Sequence, residues 1–142
     1  MILTDVNILI YAYRAESSHH DRYRHWLETV ANGAESFALS SIVLSGFVRV
    51  VTHPRIFRPP SPLDDALGFA EDLLDQPNCI MIHPGPRHWD VFARLCRESG
   101  AKGNLVPDAY LAALAIEAGC ELVTADRDFA RFKGLRWRHP LA

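Results

Sequence analysis

A chain of 142 residues that is 49% hydrophobic and 23% charged has the composition of a soluble globular protein, not of a disordered one. Its length reads as a single domain spanning residues 1–142. The formal net charge of −2 excludes a uniformly basic surface of the kind that binds any polyanion, and leaves room for local basic patches.

No uninterrupted apolar run approaches the ~20 residues of a membrane span. The opening Met1-Ile2-Leu3-Thr4-Asp5 has no basic region of the signal-peptide kind, so none is expected. Cys79, Cys96 and Cys120 form no C-x-x-C pair and read as reduced thiols in the cytoplasm.

Ile2-Leu3-Thr4 reads as a short apolar strand. A helix is expected over 7–14, and another over 20–30 with Tyr23, Trp26, Leu27 and Val30 at helical spacing. Phe37-Ala38-Leu39 is the second strand. The apolar stretch 41–51 behind a serine predicts a buried helix. Ser61 is expected to cap a helix over 63–74, with Pro62 in its first turn and Leu63, Leu67, Ala70 and Leu74 on its apolar face. Cys79-Ile80-Met81-Ile82 is the third strand. Helices over 87–99 and 107–118 each stop at a glycine, Gly100 and Gly119. Leu122-Val123-Thr124 is the fourth strand, one helical turn follows over 128–132, and Leu135-Arg136-Trp137 is the fifth. Strands that alternate with helices predict an α/β fold with a mostly parallel sheet covered on both faces. In such sheets ligands gather beyond the carboxyl ends of the strands.

Two strand ends share one form. The first runs into Thr4-Asp5 and the fourth into Thr124-Ala125-Asp126, with Asp128 two residues on. Each Asp is also placed to cap the helix after it. Asp108 is the one acid of an otherwise apolar helical stretch and lies in its first turn, where the helix dipole alone would favour it. Carboxylates that converge on one rim cannot all stay ionised without a counter-charge. An Asp-only set without His or Cys at ligand spacing suits Mg²⁺, with Mn²⁺ as the alternative, better than Zn²⁺. Such an ion supports attack of water on a phosphodiester.

Three stretches in this order carry a resemblance that covers essentially the whole chain. They are Leu3-Thr4-Asp5-Val6-Asn7-Ile8-Leu9, the run from Asn104 to Ala115 around Pro107-Asp108-Ala109, and Leu122-Val123-Thr124-Ala125-Asp126-Arg127-Asp128-Phe129. Phe47-Val48-Arg49 and Thr52-His53-Pro54-Arg55-Ile56-Phe57 add to it. The sequence resembles the PIN-domain family, and within it the VapC-type ribonuclease toxins of toxin–antitoxin pairs. The resemblance implies a three-layer α/β/α sandwich, Mg²⁺-dependent cleavage of RNA, inhibition by a small VapB-type antitoxin and a homodimer. It implies that Asp5, Asp108 and Asp126 are metal-binding and that Asp128 is a further acid of the site, with Thr4, Asn7 and Thr124 in support. One position departs from the family pattern. Gly46 stands where a glutamate is expected, and only Glu16 and Glu35, both in loops, offer themselves instead.

The remaining features have plain readings beside functional ones. Arg49, Arg55, Arg58, Arg127 and Arg131 fit either a basic rim for RNA or ordinary helix-face charge; Arg49, Arg55 and Arg127 are the candidate RNA contacts. The seven histidines lack zinc spacing and read as solvated surface, His53 being the one that fits an RNA-facing loop. The apolar helix around Ile8–Tyr13 fits either core packing or a dimer or antitoxin seam. A PIN module that binds RNA or antitoxin without cutting it efficiently is the competing function. An aspartyl phosphatase is disfavoured because Asn7 stands where a second acid is wanted, and neither a P-loop nor a dinucleotide fingerprint is present.

Overall fold

The computed structural model describes residues 1–142. In chain order the elements are β1 (Ile2–Thr4), α1 (Val6–Tyr13), α2 (His20–Ala31), β2 (Phe37–Leu39), α3 (Ser41–Val51), α4 (Leu63–Leu74), β3 (Cys79–Met81), α5 (His88–Ser99), α6 (Leu105–Ala118), β4 (Glu121–Val123), a 3₁₀ turn (Arg127–Arg131) and β5 (Trp137–Arg138). The five strands form one sheet in the order β3-β2-β1-β4-β5, and every pairing is parallel.

The apolar strand sequences explain this sheet. Leu3, Phe37, Ala38, Leu39, Leu122 and Val123 are all fully buried, as strands covered on both faces must be. The connections from β1 to β2 to β3 step one way across the sheet, and the return to β4 steps the other. Right-handed crossovers therefore place α1–α4 on one face and α5–α6 on the other, which makes the three-layer α/β/α sandwich. α1 packs on α2 and α3, α3 on α4, and α5 on α6. α6 is apolar around most of its circumference, and Ala109 and every residue from Leu111 to Ala115 are buried. No helix is long and apolar enough to cross a membrane.

Several local expectations change. In α4 the buried face is Ala66, Ala70 and Leu73, while Leu63 and Leu67 stay 56% and 38% exposed. The face turned toward α3 and β3 therefore lies about one position round the helix from the expected one. Ser61 does not cap α4; it is buried, and its Oγ accepts from Arg14 Nη1 at 2.8 Å. Arg14 also donates to Pro59 O at 3.0 Å and lies over the Phe57 ring at 4.3 Å, which fastens the segment before α4 to the end of α1. β5 is shifted to Trp137–Arg138 because Leu122 and Val123 pair with those residues. His88 is not a surface residue. It is buried, its Nε2 lies 3.0 Å from Tyr110 O, and its ring packs between Phe92 and Tyr110. In α1, Ile8, Leu9, Ile10 and Ala12 are buried in the core, so its apolar character is used for packing within the fold.

The inward face of α4 predicts opposite responses to two substitutions. Ala66→Leu overpacks a closed site and should cost about 1–3 kcal/mol. Leu63→Ala trims an exposed side chain and should stay within about 0.5 kcal/mol. Urea denaturation of both variants measures the difference.

Candidate active site

The strand order reverses at β1, the point in such a sheet where ligands bind. Thr4 pairs with Val123, so the residues that follow them leave the sheet on one rim. Asp5 N–H extends the ladder to Val123 O at 3.0 Å. Asp5 is 7% exposed and both carboxylate oxygens are engaged. Oδ1 accepts from Val6 N–H at 2.7 Å, which caps α1, and Oδ2 accepts from the Thr124 hydroxyl at 2.8 Å. Thr124 Oγ1 accepts in turn from Asp126 N–H at 3.0 Å. Asp126 Oδ1 caps the 3₁₀ turn by accepting from Asp128 N–H at 2.9 Å. Capping and site building are thus one arrangement: the caps hold the carboxylates on the rim.

Asp108 arrives from the opposite layer, on the first turn of α6. It is half-buried, and no side-chain hydrogen bond offsets its desolvation. Burial, followed by the charges of Asp5, Asp126 and Asp128, pushes its pKa from 3.8 up to about 6. Burial also raises Asp5, and Asp126 adds to that rise; the bonds from Thr124 and Val6 pull it part of the way back. Asp128 is exposed, with only a loose pair to Arg131 at 3.8 Å.

A cleft of about 380 Å³ between α3 and α6 joins Asp5 and Asp108. Gly46, Ser45, Ile42 and Arg49 form its α3 wall. Ser45 was missed in the sequence, although it stands at i, i+4 spacing with Arg49 on one helix face. Asp126 and Asp128 lie outside the lining. Arg55 lies outside it too, in the exposed segment after α3, where its N–H donates to His53 Nδ1 at 3.1 Å. Arg127 is exposed beside the carboxylates and lines a different cleft. Asn7, partly buried on α1, is not on the cleft wall. Thr4 is fully buried, and its Oγ1 is the one buried side-chain polar atom without a hydrogen-bond partner.

The donor set fits a hard cation in one specific way. No three carboxylate, His or Cys side chains are gathered tightly enough to cage a metal. Mg²⁺ does not require a cage, since it keeps several waters and takes one or two carboxylates directly. Asp5 and Asp108, which share the cleft and lack a cationic partner, are the pair able to supply them.

At Gly46 a Cβ would come within 3.2 Å of Val6 Cγ2. Val6 thus crowds the space where a side chain at 46 would begin. No acid replaces it: Glu16 is exposed and paired with Arg14, and neither Glu16 nor Glu35 reaches the cleft.

Comparison with known proteins matches the PIN domain model to residues 2–135. Ribonuclease VapC43 of Mycobacterium tuberculosis is 46% identical over 141 residues, covering 99% of this chain and 96% of its own length. Ribonuclease VapC25 of the same species is 41% identical over 140 residues, with 99% of both chains covered. Among solved structures, the VapBC2 complex of Rickettsia felis bound to a promoter DNA fragment matches with a TM-score of 0.72 at 24% identity, covering 98% of each chain.

The raised pKa of Asp108 has a signed consequence for stability. Between its ordinary value of 3.8 and its folded value of about 6, the folded state binds the proton more tightly than the unfolded chain does. Stability therefore falls as pH rises through that window, and the cost is complete above it. Asp108→Asn should stabilise the metal-free protein near neutral pH by about 1–2 kcal/mol, a figure discounted for the half-exposed carboxylate. The gain should vanish toward pH ~4, as denaturation series at several pH values would show.

Proposed function

Since the chain belongs to the PIN-domain family and, within it, to the VapC ribonucleases, we propose that it is a toxin–antitoxin endoribonuclease that hydrolyses RNA phosphodiester bonds at the carboxylate rim with Mg²⁺ or Mn²⁺. The observation that carries this reading is the pairing of Asp5, held through both oxygens at the switch point of the sheet, with Asp108 across one cleft. All 142 residues act as one unit in this reading.

Each residue has a task. Asp5 and Asp108 would hold the cation, which would supply positive charge against the phosphate oxygens and favour attack by water. Thr124 orients Asp5 by donating its hydroxyl to Oδ2, the role of an outer-shell partner. Asp126 adds negative charge to the rim and orders the turn bearing Asp128 by accepting from its N–H. Arg49, on the cleft wall, is placed to meet a phosphate oxygen.

The partners of this reading are an RNA substrate, a small VapB-type antitoxin and a second copy of the chain, in the cytoplasm. The solved VapBC complexes support the antitoxin by analogy. A groove of about 510 Å³ among α1, α2 and α4, lined by Tyr13, Leu27, Phe69 and Leu73 together with Arg24, Glu28 and Asp72, offers an antitoxin helix a seat of mixed apolar and charged character.

Gly46 favours a second reading, a PIN module that binds RNA but cuts it poorly. One assay separates the two. Protein freed of partner should cleave cellular RNA with Mg²⁺, and EDTA should stop it. Asp5→Asn and Asp108→Asn should abolish cleavage, with circular dichroism confirming their fold. Thr124→Val should cost about 10–100-fold. RNA binding by wild type without cleavage in either metal would instead establish the second reading.

A further inference from the structure

A second cleft adjoins the carboxylate rim and carries the opposite charge. It encloses about 760 Å³ where the start of α2 meets β5 and the 3₁₀ turn. Arg22, Arg127, Arg138, His19 and His139 line it together with Trp137, and no acidic side chain is in its wall. These residues come from three parts of the chain that only the fold brings together.

The cations differ in how far they are committed. Arg138 is paired with Glu121 at 2.8 Å, from outside the lining. Arg22 makes only a long contact, 3.4 Å, to Leu141 O. Arg127 has no ion pair or side-chain hydrogen bond. The far wall is ordered: His139 Nδ1 accepts from Leu141 N–H at 3.1 Å, and its Nε2 lies 3.3 Å from the Tyr23 hydroxyl. His19, at the start of α2, has a left-handed backbone with φ 58°, a region that non-glycine residues enter rarely.

Arg127 links this cleft to the rim. It stands between Asp126 and Asp128, and adjacent Cα atoms are about 3.8 Å apart. The basic groove therefore begins one residue from the carboxylates.

An acidic rim repels the polyanion it must cut. Resting on the ribonuclease reading above, we propose that this cleft seats the RNA backbone next to the scissile phosphate. Arg22 and Arg127 contact phosphates, and Trp137 offers a stacking face to a base. Uncommitted guanidiniums suit phosphate oxygens, and an aromatic beside a basic groove is the usual platform for single-stranded nucleic acid. The cleft is sequence-tolerant on these terms, since phosphate contacts position a strand without specifying it.

The test is binding of a short 5′-labelled single-stranded RNA of mixed sequence, read by fluorescence anisotropy without divalent metal, over a salt series. Arg22→Ala and Arg127→Ala are compared with wild type, with each other combined, and with Arg97→Ala, an equal charge change on exposed α5. Each cleft variant should weaken binding roughly three- to tenfold and reduce the salt slope by about 0.7, the value for one single-strand phosphate contact. With metal restored, KM for cleavage should rise more than kcat falls. Arg97→Ala should change neither. Wild-type affinity and slope in the double variant, with wild type still cutting RNA, would overturn the cleft and leave the ribonuclease reading intact. Unchanged RNA binding with weakened capture of the cognate antitoxin would assign the cleft to a protein partner instead. Failure of wild type itself to bind or cut RNA would remove both readings.

Discussion

Thr124 donates its hydroxyl to Asp5 Oδ2 and accepts the backbone N–H of Asp126 through the same oxygen. A single buried side chain therefore ties together two strand ends that are remote in sequence. The rest of the rim depends on this tie. It sets the Asp5 rotamer with Val6 N–H at the other oxygen, and it fixes where the chain leaves β4 toward the turn that bears Asp128. A methyl in place of the hydroxyl would leave Asp5 Oδ2 buried and unpaired, which is far costlier than never having made the bond.

Around this tie the chemistry is governed by an excess of negative charge. Asp108 is desolvated by burial and meets the charges of Asp5, Asp126 and Asp128 with no basic side chain bonded to it, and its pKa rises to about 6 as a result. A fold that carries such repulsion is less stable than it would be without it. That is the signature expected of a site kept for function, and it matches the need of a hard cation for unpaired oxygens. Gly46 fits the same picture from the other wall. Val6, held in place by the cap on Asp5, approaches the position where a Cβ would be. A side chain at 46 would therefore require Val6 to give by a few tenths of an ångström.

The charges are sorted in space though nearly balanced in total. The net charge of −2 hides an acidic rim and a basic cleft that meet at Arg127. The segment from β4 through the 3₁₀ turn to β5 contributes to both: Thr124, Asp126 and Asp128 to one, Arg127, Trp137 and Arg138 to the other. Groups of opposite charge thus sit side by side without neutralising each other.

Much of this was legible in the residues. The apolar strands, the order of the helices and the stops at Gly100 and Gly119, whose φ of 65° and 70° suit glycine, follow from periodicity and local conformational preference. So do the caps formed by the aspartates at the strand ends, Asp5 on α1 and Asp126 on the 3₁₀ turn. What the tertiary structure alone decided lies in longer-range contacts. Leu63 and Leu67 share helical spacing with Ala70, and only packing against the neighbouring elements turned the buried face to Ala66, Ala70 and Leu73. The position of β5 came from its hydrogen bonds to β4, and the burial of His88 from its seat against Phe92 and Tyr110. The pKa of Asp108 and the joining of Arg22 to Arg138 are sums over residues distant in the chain. Local sequence sets which conformations a segment favours, but packing and Coulomb interactions act through space and are settled only when the layers close.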